Sequence, residues 1–140
     1  MSEVLSGYIS GETKITSLQN HTTAGTGTIT SDALDMEGYD AVLFLTSFGT
    51  PAVNNLITMH DSAASGSGFA ATVALKACSA SVGMVALDVH RAVQRYVKCV
   101  ATRGTSSTCE TIWGIQYNAK VKPVTNTATL PGTFDAPAAA

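Results

Sequence analysis

Three histidines and a short acidic cluster are the residues of this 140-residue chain best suited to chemistry. His21, His60 and His90 lie far apart, and none has a second His, a Cys or a Glu at a metal-ligand spacing. His60-Asp61 closes an apolar segment, a common place for a site, and reads more simply as a solvated strand end. Asp35, Glu37 and Asp40 surround Gly38. Carboxylates this close can hold a hard cation such as Ca²⁺, but the EF-hand spacing and its closing Glu are missing. The cluster therefore reads as an acidic turn. Gly66-Ser67-Gly68 sits in a Ser/Gly-rich stretch with no Lys following it, so it fits neither a nucleophile elbow nor a phosphate loop. With no acid–base pair or nucleophile to assign, the sequence points away from an enzyme and names no catalytic residue, metal ligand or cofactor.

Two further groups carry weaker signals. Cys78, Cys99 and Cys109 are an odd set, which argues against a disulfide framework. If residues 94–118 form a hairpin about Gly104, Cys99 and Cys109 oppose each other. A bridge is then geometrically open, while a reducing compartment favours two buried thiols. Trp113 and Tyr117 share one parity of the return strand with Ile115. Such a row can be a stacking platform for a sugar, but more often it is core. Read as core, Trp113→Ala should cost about 3–5 kcal/mol.

The elements that must position these residues are strands. Residues 28–34 carry β-branched alternation, and 35–40 have turn chemistry about Gly38. Ala41 to Phe48 is continuously apolar, the pattern of a central strand covered on both faces. Residues 55–60 and 69–75 read as strands separated by the flexible loop 61–68. Val82 to Val89 alternates, with Val85, Leu87 and Val89 on one face. Gln94 to Thr102 alternates again, with Val97, Cys99 and Ala101 together. A helical period over residues 87–100 competes with that strand, and β-branched content favours the strand. Arg103-Gly-Thr-Ser-Ser107 reads as a hairpin turn into a return strand, Cys109 to Asn118. The fold class is all-β, an antiparallel β-sandwich of jelly-roll type spanning residues 28–118. An N-terminal arm or edge strands occupy residues 1–27, and an extended C-terminal tail occupies residues 119–140.

Composition narrows the function classes. Charged residues make up 13% of the chain, about half the usual share, and 13 Ser with 19 Thr supply the polar surface instead. A weakly charged, hydroxyl-rich surface suits packing against copies or partners. The net charge of −2 and the scattered basic residues argue against nucleic-acid binding. No apolar run approaches a membrane span, and the N-terminus lacks a secretory pattern, so synthesis in a cytoplasm is expected. The tail holds three prolines and little apolar content. Pro123, Val124, Leu130 and Phe134 are its candidate partner-binding residues, each suited to a pocket on a neighbouring subunit. On that reading, deleting residues 123–140 weakens attachment and leaves the domain's melting temperature nearly unchanged.

Four blocks carry a resemblance: Asp35-Met-Glu-Gly-Tyr-Asp-Ala-Val-Leu-Phe-Leu45, Asn55-Leu-Ile-Thr-Met-His-Asp-Ser62, Arg95-Tyr-Val-Lys-Cys-Val-Ala101 and Ile112-Trp-Gly-Ile-Gln-Tyr117. Together they resemble the small β-sandwich structural proteins of tailed bacteriophages. The resemblance spans about residues 30–118. It implies a capsid decoration or cement protein on the exterior of the virion, a homo-oligomer, usually a trimer, that binds the major capsid protein. The long Pro/Thr/Ala tail departs from the family pattern. Two other readings stand beside it: a head–tail or tail accessory protein, and a carbohydrate-binding adhesin module using Trp113 and Tyr117.

Overall fold

The computed structural model describes residues 9–91, 94–121 and 124. One helical turn, α1 (Ile9–Glu12), precedes the strands β1 (Lys14–Gln19), β2 (Thr22–Gly25), β3 (Ile29–Thr30) and β4 (Leu34–Asp35). The long strands β5 (Tyr39–Ser47), β6 (Asn55–Ser62), β7 (Ala70–Ala77), β8 (Met84–His90) and β9 (Tyr96–Arg103) follow. Short β10 (Ser107–Cys109) and then β11 (Ile112–Ala119) complete the set.

The strands form two antiparallel sheets. The first has the order β1-β11-β5-β8, and the second β3-β9-β6-β7, with β4 also on β9. A small β2-β10 ladder stands apart. Apart from the β6–β7 hairpin, the long strands from β5 onward cross between the sheets, because each has one apolar face in need of cover. That cover is mutual. Leu18, Val42, Phe44, Val85, Leu87 and Ile112 of the first sheet pack against Ile29, Leu34, Ile57, Met59, Val97 and Cys99 of the second in one buried cluster. Each such side chain contributes roughly 1.5–3 kcal/mol by leaving water. The fold is thus an antiparallel, sandwich-like all-β domain.

Local chemistry explains the joints. Gly38 turns the chain at φ +90°, a conformation that a side chain disfavours. Asp35 Oδ1 accepts the Glu37 N–H at 3.0 Å beside it. Gly114 has no room for a side chain: a Cβ there would meet Cδ1 of Leu34, from the facing sheet, at 2.7 Å and Cδ1 of Leu18, from neighbouring β1, at 2.8 Å. Gln116, 1% exposed, is accommodated because its Nε2 donates to the Asp35 carbonyl at 2.8 Å.

The structure departs from the sequence reading in three places. First, residues 94–118 are not a hairpin. β9 pairs with β3, β4 and β6, whereas β11 pairs with β1 and β5. The loop after β9 is a crossover between sheets, held by Arg103. That guanidinium is 7% exposed and donates from Nε to Gly27 O at 2.8 Å and from Nη1 to Thr23 O at 2.7 Å and Ser107 O at 2.8 Å. Cys99 and Cys109 therefore stand on strands that do not pair, and all three cysteines are free thiols.

Second, among the described residues β5 is packed under a second layer on one face only. Val42, Phe44 and Thr46 are buried, while Leu43, Leu45 and Ser47 are half-buried on the other side. Third, residues 28–34 split into β3 and β4. Ser31 breaks the run by spending its Oγ on the Cys99 N–H at 2.9 Å. Over residues 87–100 the strand reading holds over the helical one: β8 ends at His90 and β9 starts at Tyr96. Arg91 turns out of the ladder at φ 62°.

Candidate functional site

The outward face of the first sheet is the candidate site. Its strands are paired residue by residue, so its side chains fall in rows. Ile15, Ile115, Leu43 and Asp88 lie side by side across β1, β11, β5 and β8. The next row is Ser17, Trp113, Leu45 and Ala86, and beyond it Ser47 stands beside Met84. Trp113 is 39% exposed and Met84 63%. The rings and branched chains of the two central strands thus make an apolar surface across the sheet.

Trp113 is accordingly not core, as its parity suggested. The inward parity of β11 belongs to Ile112, Gly114 and Gln116, because the close approach at Gly114 excludes anything larger. Beside the indole, Leu45, Met84, Glu110 and Thr111 line a shallow hollow of about 200 Å³. Glu110 accepts from His21 at its rim, at 3.1 Å. At the opposite end Tyr117 donates its hydroxyl to Asp88, and the His90 ring meets the Tyr117 ring edge-on at 5.9 Å. The Asp88 carboxylate pushes the Tyr117 phenol up to about 12. Asn118 Nδ2 lies 3.0 Å from His90 Nε2.

The other sequence candidates are occupied elsewhere. Arg95, 60 residues away in sequence, binds Asp35 through two bonds, Nε to Oδ1 at 2.8 Å and Nη2 to Oδ2 at 2.9 Å, and reaches Glu37 at 2.9 Å. The guanidinium holds the Asp35 carboxyl below its ordinary value, against a smaller opposing effect of burial. Asp40 faces Lys120 at 3.9 Å. His60 is half-buried on β6 opposite Lys98. Ser67 offers its carbonyl to the Ser62 hydroxyl at 2.5 Å. Burial, and then the neighbouring Cys109 thiol, push Cys99 up to about 12. Among the described residues, no three His, Cys, Asp or Glu side chains are grouped to hold a metal.

Of the candidate tail residues, Val124 is 5% exposed, and its N–H donates to Gly11 O at 2.9 Å, so it is tied to its own domain. Pro123, Leu130 and Phe134 lie outside the described residues.

Two features escaped the sequence reading. The partnership of Arg95 with the acidic turn joins distant segments and has no local signal. The outward apolar face did have one: β5 is apolar at both parities, and one of those parities had to face away from the core.

No protein-family model matches this chain, and no curated protein does. Among solved structures it is similar to the SPBc2 prophage-derived protein YomS, with a TM-score of 0.50 and 13% sequence identity. The likeness covers 75% of this chain and 92% of that one. At that identity it is a likeness of fold.

Proposed function

We propose that this chain is a structural protein of a bacteriophage virion, a capsid decoration or cement protein that binds the major capsid shell through the outward face of its first sheet. The observation that carries this reading is the apolar surface of Leu43, Leu45, Trp113, Ile115 and Met84 on a rigid sheet. Apolar faces of this kind, rimmed by polar groups, are what protein partners cover. The fold's likeness to a prophage-derived protein supports the phage setting. So does the strand order. With β3 and β4 taken as one interrupted strand, and β2 and β10 set aside, the two sheets run 1-8-3-6 and 2-7-4-5. We read that winding as a jelly roll.

Sedimentation of the purified chain with empty capsids tests the proposal. Binding that saturates, and that fails with Leu45→Asp, is the expected result. A chain that stays in the supernatant at all concentrations overturns it.

The exposure of Trp113 favours a second reading, a sugar-binding platform. Its surroundings favour protein over sugar. Leu45 and Met84 flank the ring, and the hydroxyl of the other aromatic, Tyr117, is already spent on Asp88. A sugar site places free polar groups around its ring. Quenching or enhancement of Trp113 fluorescence by an oligosaccharide panel would reverse that preference.

A further inference from the structure

The four edges of the sandwich are unequal. β1 carries a bulge between Ser17 and Gln19. β3 and β4 are two residues each. β7 slips register against β6 and bears Lys76. Bulges, short length and Lys are devices that keep sheet edges from pairing with other chains. β8 has none of them. Its seven residues match β5 one for one, from Ala41 with His90 to Ser47 with Met84, and they include no Gly, Pro, Lys or Arg.

Two bonds fix which backbone groups of β8 face outward. Phe48 donates its N–H to Gly83 O at 2.9 Å, and Arg91 donates its own to Asp40 O at 2.6 Å. In an antiparallel ladder such pairs recur at every second residue. The odd-numbered residues of β8 therefore bond to β5. Met84, Ala86, Asp88 and His90 point their N–H and C=O groups at the open edge, where no strand is paired among the described residues.

We propose that this edge pairs with the same edge of a second copy, antiparallel and centred on Leu87. In that register every outward-pointing residue meets another: Met84 opposite the partner's His90, and Ala86 opposite the partner's Asp88. All four residues of each strand then exchange hydrogen bonds. Centring on Asp88 would set carboxylate against carboxylate, and centring on Ala86 would leave His90 without a partner. The contact is isologous and closes as a two-fold pair. It joins the two outward faces into one surface of eight strands. The ladder supplies affinity that the face alone lacks. Four strands by about six residues give roughly 400 Å², well under the ~800 Å² per partner of a standard interface. Main-chain pairing along an edge provides binding without large area.

The proposal concerns β8 alone and holds whether or not the virion reading does. A two-fold pair departs from the trimer that the family resemblance implies. The test uses the full chain. Light scattering of the parent should show a dimer. Ala86→Lys, which places a charge on the edge while leaving the β5 ladder intact, should shift it to monomer with an unchanged circular-dichroism spectrum. The double variant Ala86→Cys/Asp88→Cys should form a covalent dimer on mild oxidation, joined between position 86 of one copy and 88 of the other. The parent and the two single variants should not. A monomer or trimer in the parent, a dimer that survives Ala86→Lys, or cross-linking in either single variant would each overturn the pairing. A dimer that ignores capsids would sink only the virion reading, and a capsid-binding monomer only the pairing.

Discussion

The two outward faces of the sandwich are built from the same kind of strand and end in different states. On the second sheet, Tyr96, Lys98, Thr102, Leu56, Thr58 and His60 point outward. Its rings are covered by the chain's own cations: the Lys98 Nζ lies 4.4 Å from the Phe69 centroid, and the Arg95 guanidinium 5.1 Å from that of Tyr96. On the first sheet, among the described residues, no cation lies over Trp113, and the outward positions of its four strands carry one acid, Asp88, and no Lys or Arg. Cation–π contacts and hydroxyls cover much of the second face within the molecule, although Leu75 beside Thr58 stays 55% exposed. The first is left apolar, which is the reason to assign it to a partner.

The largest effect calibrates that contrast. Phe44 and Leu43 are neighbours on β5, one inward and fully buried, the other outward. Phe44→Ala should destabilise by about 3–5 kcal/mol in urea denaturation, as truncation of a packed aromatic does. Leu43→Asp should leave the fold nearly intact and weaken capsid binding by on the order of 100-fold, or ~2.7 kcal/mol, because it puts an unpaired charge in the contact. Thr58→Asp on the opposite face should change binding by less than about twofold. Equal losses from the two Asp variants would erase the distinction between the faces.

Trp113→Ala should cost about 1 kcal/mol, well short of a core truncation, since the ring already meets water. A loss of 3–5 kcal/mol would return Trp113 to the core.

Two pH effects are smaller. The Asp35 carboxyl is held below its ordinary value in the folded chain, so its contribution is present above about pH 4 and fades as the pH falls through the depressed value. Thermal melts of Arg95→Gln should accordingly show a shallower loss of stability below pH 4 than the parent. Tyr117 titrates the other way. Its folded value, about 12, lies above the ordinary 10, so its contribution is full below pH 10 and is lost as the pH rises from 10 toward 12. Alkaline absorbance titration should find Tyr117 ionising late, together with Tyr39, whose phenol burial also pushes up, and Asp88→Asn should bring Tyr117 alone earlier.

Much of the fold was legible in single strands. The alternation of Val85, Leu87 and Val89 against Met84, Ala86 and Asp88 assigned the faces of β8 as the structure has them, and Val97, Cys99 and Ala101 do form the inward row of β9. Gly38 marked its turn correctly. Pairing was not legible. β9 and β11 look like a hairpin because they are adjacent, alternate and are separated by a Gly-containing loop. The strand pairing, and the packing of Arg103 on the distant carbonyls of Thr23 and Gly27, show that the loop crosses between sheets.

The sequence by itself determined which residues share a face, because side chains alternate along any strand. Only the tertiary structure decided which face is inside. On β11 the bulkier set, Trp113, Ile115 and Tyr117, faces out, and Ile112, Gly114 and Gln116 face in. Composition favours the opposite choice. It loses because Leu34 from the facing sheet and Leu18 from neighbouring β1 crowd Gly114 so closely that a single Cβ would collide with them. Gln116 is tolerable inside because a carbonyl 81 residues away accepts its amide. Both conditions come from other strands, and neither can be read along β11.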